Sequence, residues 1–439
     1  MLGMPPPGTT SATDMTPRDR HNALSNTLGE SLWGFQMAMV APATVLTVLL
    51  RHYGSGERLI GSVGAIESGA VLLPQVLGVY LFTSRKRRKV HLVLWHVLLM
   101  SPMLLVMGVL ARGPGGMSPR AVTIALLVCF GWFQTAMGVI VAVWLDWLAR
   151  LFGPAIRGRV FGISWCCSAL AGTGGALAAG HVLETYPQPL AFSYLYMAAS
   201  AMTVASMAAF CLMKDPAADA PADSPVAGTT GLLDSFKSSL GDRNFRAFII
   251  GRIIATGGFC IGPFITVYYT SAEGGGLAAS MVVSLGAALT VGSSIGFLVL
   301  GRMGDITGHR LGVMAGIIAQ MAALAVVLVS AGRISCMMAF FGAGLAAAGG
   351  FLSHTNMLYE TCPHDSRIAH ITVGNLVMGT TSILCPLLAG VAAARYGTRS
   401  LFGICLVLSA GALLWFALRV REPRQVTERP APVDVNRAA

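Results

Sequence analysis

Charge is what this 439-residue chain has least of: only 11% of its residues are Asp, Glu, Lys or Arg. An ordinary soluble chain carries about 25%. So few charges cannot clothe a folded surface of this size, which excludes a soluble single-core enzyme. The 54% apolar content excludes intrinsic disorder as well. The nine cysteines have no framework spacing and fall mostly in apolar runs, so they read as buried reduced thiols. The first 27 residues hold no apolar core, so no cleavable signal peptide is expected, and Met15 is an alternative start after a Pro-rich stretch. Also missing are a Walker motif, a catalytic triad and a zinc-enzyme helix. Gly172-Thr-Gly174-Gly175 has no strand before it, and Cys362-Pro-His364-Asp365 offers too few ligands for a metal. No enzyme activity, cofactor or metal is therefore expected.

What is present in quantity is the long hydrophobic run. Mean hydropathy is +0.68, and the apolar content supplies about twelve spans of ~20 residues. They run approximately over 28–50, 60–82, 90–110, 121–144, 160–183 and 191–213, then 247–270, 278–300, 311–330, 335–358, 368–392 and 401–418. All are apolar on every face, so helices are expected; a barrel would show ten-residue alternation. The reading is an all-α polytopic membrane protein of twelve transmembrane helices in two pseudo-symmetric six-helix bundles. A tail (1–27) precedes a six-helix half (28–213), a polar linker (214–246), a second six-helix half (247–418) and a tail (419–439). The linker opens Lys214-Asp-Pro-Ala-Ala-Asp, which cannot form a packed core.

The net charge of +11 takes its meaning from topology. With the N-terminus inside, the inner segments hold 22 of the 30 Lys and Arg, the outer loops 7, and Arg252 falls within a span. That threefold bias puts both termini in the cytoplasm, and a bacterial cytoplasmic membrane is the expected location. Nucleic acid is not needed as a partner; the bilayer is.

Internal repeats accompany the spans. Gly180, Tyr186 and Phe192 follow the fifth span, and Gly390, Tyr396 and Phe402 follow the eleventh at an offset of 210. Pro154 and Arg157 match Pro363 and Arg367, and Pro42 matches Pro263 more loosely. Two homologous halves in one order are the organisation of parallel-repeat secondary transporters.

Between spans eight and nine the chain reads Gly301-Arg-Met-Gly-Asp305-Ile-Thr-Gly308-His-Arg310. This resembles the G-x-x-x-D-x-x-G-x-R/K loop signature of the major facilitator superfamily. Pro154-Ala-Ile-Arg157-Gly158-Arg159 resembles that family's P-x-x-R-G turn. With the span count, the resemblance covers nearly the whole chain. Two departures stand out. The first-half loop has Phe82 where the signature has an acid, and the fifth span lacks the Gly-Pro pair of the antiporter motif.

The resemblance implies that Asp305, with Gly301, Gly308, Arg310, Arg157 and Arg159, forms a conformational latch on the cytoplasmic face; a solvated turn that only anchors topology is the alternative. It also implies a central cavity contacted by Gln36, Gln134, His354 and Asn356. Arg252 would bind an anionic substrate or pair with Glu30, or else snorkel to the interface. Glu67, eight residues into span two, is the deepest acid, read either as a proton or cation site or as a hydrogen-bonded buried carboxyl. Asp146 and Glu360 are the next coupling candidates. Trp144 reads as an interfacial anchor and His96 as peripheral. Small residues in spans five and eight suit helices that slide between the halves.

The function this implies is secondary active transport of a small molecule by a monomer through alternating access, coupled to protons and directed outward. The rival is a non-transporting membrane assembly factor or binding platform that kept the fold. Topology gives the first test. A reporter fused after Arg421 should be active only in the cytoplasm and one inserted near Gly115 only outside; the opposite at either position overturns the charge argument.

Overall fold

The computed structural model describes residues 15–81, 88–113, 115–215, 237, 239–362 and 367–423. Among them no strand occurs, and eleven helical stretches are long and apolar enough to cross a membrane. The place of a twelfth is filled by two helices, Glu57–Leu72 and Gln75–Leu81. They are interrupted at Leu73–Pro74, where proline has no N–H to continue the ladder.

The first helix, α1 (Pro17–Met39), starts on a reciprocal cap. The Asp19 N–H donates to Thr16 Oγ1 at 3.1 Å, and the Thr16 N–H donates to Asp19 Oδ2 at 3.1 Å. Pro42 forbids its simple continuation, and the chain proceeds through a π-turn (Pro42–Leu46) into α2 (Thr47–His52). Similar π-turns occur at His96–Met100 and Gly349–Ser353.

By packing, the chain forms two compact units: Met1–Ala41 with Ala70–Asp223, and Pro42–Gly69 with Ser224–Ala439. Each boundary in the first two spans therefore falls inside a span rather than in a loop. The linker expected over 214–246 and both expected tails lie largely outside the described residues.

In the first unit, α1 packs on the helices Pro154–Thr185 and Leu190–Cys211. Gly175 makes the closest of these approaches, since a Cβ there would sit 3.2 Å from the Phe35 Cα. The second unit repeats the device between Ala287–Thr307 and Arg333–Ala348. A Cβ on Gly292 would lie 3.0 Å from the Phe341 carbonyl carbon, and one on Gly296 would lie 2.6 Å from Ala348 Cβ. The small residues of spans five and eight thus close contacts inside their own units, against spans one and ten.

The two units also share a clamp. Asn22 donates from Nδ2 to the Lys214 carbonyl at 2.9 Å and accepts from the Lys214 N–H at 2.8 Å. Asn244 does the same with Arg421, at 3.2 and 2.8 Å. In each six-helix half of the sequence the start of the first helix is thereby tied to the chain leaving the last one. This matches the sequence repeat in side-chain detail.

Because Gly175 and Gly292 sit at backbone contacts within separate units, Gly175→Leu and Gly292→Leu should each destabilise by about 1–3 kcal/mol. The double variant should lose the sum. Thermal unfolding in detergent checks this, and unchanged midpoints would mean the contacts are looser than described.

Candidate functional site

Glu67 lies in the second unit, on the helix Glu57–Leu72, which rests on the long helix Arg367–Tyr396. Two glycines make that approach: a Cβ on Gly61 would be 2.6 Å from the Pro386 carbonyl oxygen, and one on Gly64 would be 3.2 Å from Pro386 Cβ. Pro386 stands inside its helix and withholds an N–H from it. Beside this crossing is a cavity of about 160 Å³, lined in part by Glu67, Ser68, Thr256, Cys260, Ser382 and Pro386.

The lining combines one carboxyl with three hydroxyls and a thiol. Two of these groups bond back along their own helix: Thr256 Oγ1 donates to the Arg252 carbonyl at 2.9 Å and Cys260 Sγ to the Thr256 carbonyl at 3.0 Å. That helix, Arg243–Gly258, ends where Gln320 Nε2 takes the Gly258 carbonyl at 2.9 Å. The next helix, Gly262–Thr270, is tied to the π-turn of the first span, with Thr266 Oγ1 donating to the Ala43 carbonyl at 2.7 Å. A carboxyl so placed is surrounded by groups able to hydrogen-bond a protonated acid or a small cation.

The other predicted site residues are dispersed. Arg252 is buried and donates from Nη2 to the carbonyl of Gly350 at 3.4 Å, inside the third π-turn. Asn356 is half-buried two residues beyond His354, whose side chain lies outside the described residues. Gln36 and Gln134 are both buried in the first unit; neither amide group of Gln36 finds a partner among the described residues. Asp146 and Glu360 are engaged elsewhere. Asp146 pairs with Arg88 and lies 3.4 Å from Arg150 Nε, and Glu360 Oε1 is 3.7 Å from His309 Nε2.

The loop signature forms a different kind of site. The helix Ala287–Thr307 ends at Gly308, whose φ of 91° is left-handed and suits glycine, and the next helix begins at His309. The Arg310 N–H in its first turn donates to Glu422 Oε2 at 2.9 Å. A carboxylate there meets both unpaired N–H groups and the positive end of the helix dipole. The Arg310 side chain turns to the end of the last helix, Thr398–Arg419, with Nε 3.2 Å from the Phe416 carbonyl and Nη2 2.8 Å from that of Ala417. One arginine and one glutamate thus tie a helix start to a helix end.

Lys89 makes the equivalent contact in the first unit, its Nζ 2.9 Å from the Met213 carbonyl. Of the remaining residues expected in the latch, Gly301 is half-buried in its helix, and the Asp305 side chain lies outside the described residues. Arg157 donates from Nε to the Phe152 carbonyl at 3.2 Å, and Arg159 is exposed. The first-half loop at 82–87 and the cluster around His364 lie outside the described residues.

Glu422 was not among the residues expected from sequence. It follows the last apolar run within Arg421-Glu422-Pro423, where nothing in composition separates it from an ordinary polar tail. It is only 6% exposed, packed against Gly308 and bonded to the N–H of Arg310, 112 residues earlier.

Comparison with known proteins agrees with this architecture. Residues 248–437 match the model of the Major Facilitator Superfamily. No curated protein matches the chain in sequence. Among solved structures, a variant of the nucleoside transporter NupG is similar with TM-score 0.69 and 13% identity, over 91% of this chain and 100% of that one. A bacterial homologue of the human lysosomal transporter Spinster, inward-facing and unoccupied, gives 0.68 and 14%, over 95% and 100%. The D-xylose–proton symporter gives 0.64 and 14%, over 93% and 99%.

The chain is an integral multi-pass membrane protein with a membrane-transporter fold. The resemblance to the major facilitator superfamily, read from motif, position and span count, agrees with the family match over residues 248–437 and with the shared fold.

The latch generates a prediction. Glu422→Ala removes a charge-assisted bond to a helix N-terminus, worth about 1.5–3 kcal/mol. The variant should unfold at lower temperature in detergent, and Glu422→Gln should recover part of the loss. A midpoint unmoved by either change would deny the contact any weight.

Proposed function

We propose that this protein is a secondary active transporter that moves a small molecule by alternating access, with Glu67 taking up and releasing the coupling proton. Export is the direction we favour, from a bacterial cytoplasmic membrane with both termini inside. The observation that carries the reading is the position of Glu67 at the crossing of Glu57–Leu72 with Arg367–Tyr396, in a cavity furnished with hydroxyls. Alternating access requires the stretch 42–69 to part from the helices it rests on, because it continues two spans whose other portions pack in the first unit. A carboxyl at that crossing changes its surroundings each time the contact opens, which is how protonation couples to movement.

The solutes to try first are nucleosides and pentoses, the cargo named for two of the similar structures. Arg252, Gln36, Gln134, His354 and Asn356 are the side chains we assign to the solute path. Asp146 is already held by Arg88 and Arg150, and Glu360 faces His309, so they come second as proton carriers. Arg310, Gly308 and Glu422, with Gly301, Asp305, Arg157 and Arg159, would govern the cytoplasmic end.

Proteoliposomes containing a pH-sensitive dye test the coupling. Adding a transported nucleoside or pentose should move protons with wild-type protein, while Glu67→Gln should lose the proton signal and keep solute exchange. Undiminished proton movement in Glu67→Gln would assign coupling elsewhere. Independently, Gly61→Leu forces a side chain into the Pro386 carbonyl. It should raise the labelling of a lone Cys260 by an impermeant maleimide; unchanged labelling would mean this crossing does not open.

A further inference from the structure

A second cavity, of about 150 Å³, lies wholly within the unit formed by Met1–Ala41 and Ala70–Asp223. Two helices bring a polar group to it, Glu30 from α1 and His96 from the start of the second π-turn. Glu30 is only 7% exposed, and its carboxyl forms no hydrogen bond or ion pair among the described residues. The His96 Nδ1 is 2.8 Å from the Leu92 carbonyl. A carbonyl only accepts, so Nδ1 carries the hydrogen and Nε2 of the neutral ring keeps its lone pair. The rest of the wall is apolar: three aromatic rings, Trp33, Trp144 and Phe210, among aliphatic and methionine side chains such as Ile140 and Met207. Trp33 is braced edge-on against His96, with centroids 5.3 Å apart, and stacks on Phe133 at 6.4 Å.

Each property narrows the occupant. Among the described residues no Lys or Arg lines the cavity, so an anion finds nothing there to neutralise it. A neutral apolar molecule offers the buried carboxyl no partner, so Glu30 would add nothing to its binding. A calcium or magnesium ion wants six or more oxygen ligands and a zinc ion four, and one carboxylate with one imidazole falls short. A group that is positively charged, donates hydrogen bonds to two acceptors and carries a short apolar body against aromatic faces meets every requirement. We propose that this cavity binds a small organic ammonium ion, its N–H groups shared between the Glu30 carboxylate and His96 Nε2 and its body held by Trp33, Trp144 and Phe210. The volume, below the ~300–1,000 Å³ of drug-sized sites, confines it to a compact amine.

Binding to the purified full-length protein tests this without requiring transport, so its failure and that of the transport reading are separable. The probe is 2-phenylethylammonium at neutral pH, compared with the neutral 2-phenylethanol and with sodium chloride, followed by tryptophan fluorescence and calorimetry. The ammonium should bind saturably and at least tenfold more tightly than the alcohol. Glu30→Gln should weaken ammonium binding at least tenfold, with Glu30→Asp retaining part of it. Should Glu30→Gln not fold, Met137→Trp fills the chamber with Glu30 intact and should abolish binding. Equal affinity for amine and alcohol, ammonium binding unchanged in Glu30→Gln or in Met137→Trp, a response to sodium alone, or no binding overturns the proposal.

Discussion

Backbone hydrogen bonding in a medium without water is the constraint on which the rest of this structure depends. Each unpaired N–H or C=O at membrane depth costs several kcal/mol, so a span departs from the α-helical ladder only where another group steps in. Three of the departures here are serviced in that way. Pro42 opens a π-turn, and the Pro42 carbonyl is taken by Thr47 Oγ1 at 2.9 Å while that of Ala43 is taken by Thr266. The end of Arg243–Gly258 is met by Gln320, and the π-turn at Gly349–Ser353 by Arg252. Polar residues that look like ligands in a hydropathy reading are partly occupied in keeping the backbone satisfied. Arg252 and Gln320 are examples, the first of which the sequence suggests as a substrate contact.

That constraint also explains why the compact units do not coincide with the two halves of the sequence. A span able to bend at a serviced break can send one portion to each unit, and the first span divides at Ala41–Pro42, where its π-turn begins. Glycines then decide where backbones meet: Gly175 on Phe35 in one unit, Gly292 on Phe341 and Gly61 on Pro386 in the other. The contacts of Gly175 with Phe35 and of Gly292 with Phe341 hold their units together from within. The asparagine clamps at Lys214 and Arg421 and the basic contacts of Lys89 and Arg310 to helix ends repeat in both, so the duplication visible in sequence extends to how each bundle is tied shut.

What could be read in the sequence was what leaves a periodic or compositional trace. The spans follow from hydropathy, the turn at Gly308 from a glycine spacing, and Glu67 from an acid in an apolar run. What could not be read depends on partners far apart along the chain. Glu422 needs Arg310, and Glu30 shares its cavity with His96 from another helix, although the sequence offered Arg252 as one partner for Glu30 and a peripheral place for His96. An acid's surroundings are set by helix packing, and no local pattern records which helix will face it. The small residues of spans five and eight show the same limit: close approach was legible, the identity of the neighbour was not.

The two cavities show how packing gives one residue type two different tasks. Bringing an ionised carboxylate out of water costs several kcal/mol even after relaxation, so at each site something must offset its charge. Around Glu67 the available groups are hydroxyls and a thiol, which hydrogen-bond a protonated acid well but present no broad surface to an organic body. Around Glu30 the wall is apolar with three aromatic rings in it, and the imidazole beside it is fixed by Leu92 with Nε2 as an acceptor, which suits a donor cation with an apolar frame. A proton and an organic ammonium ion satisfy the same charge requirement, and the lining selects between them. In a chain with only 19 acidic residues, two carboxyls in cavities of separate units would give the proposed proton uptake and the proposed cation recognition distinct addresses.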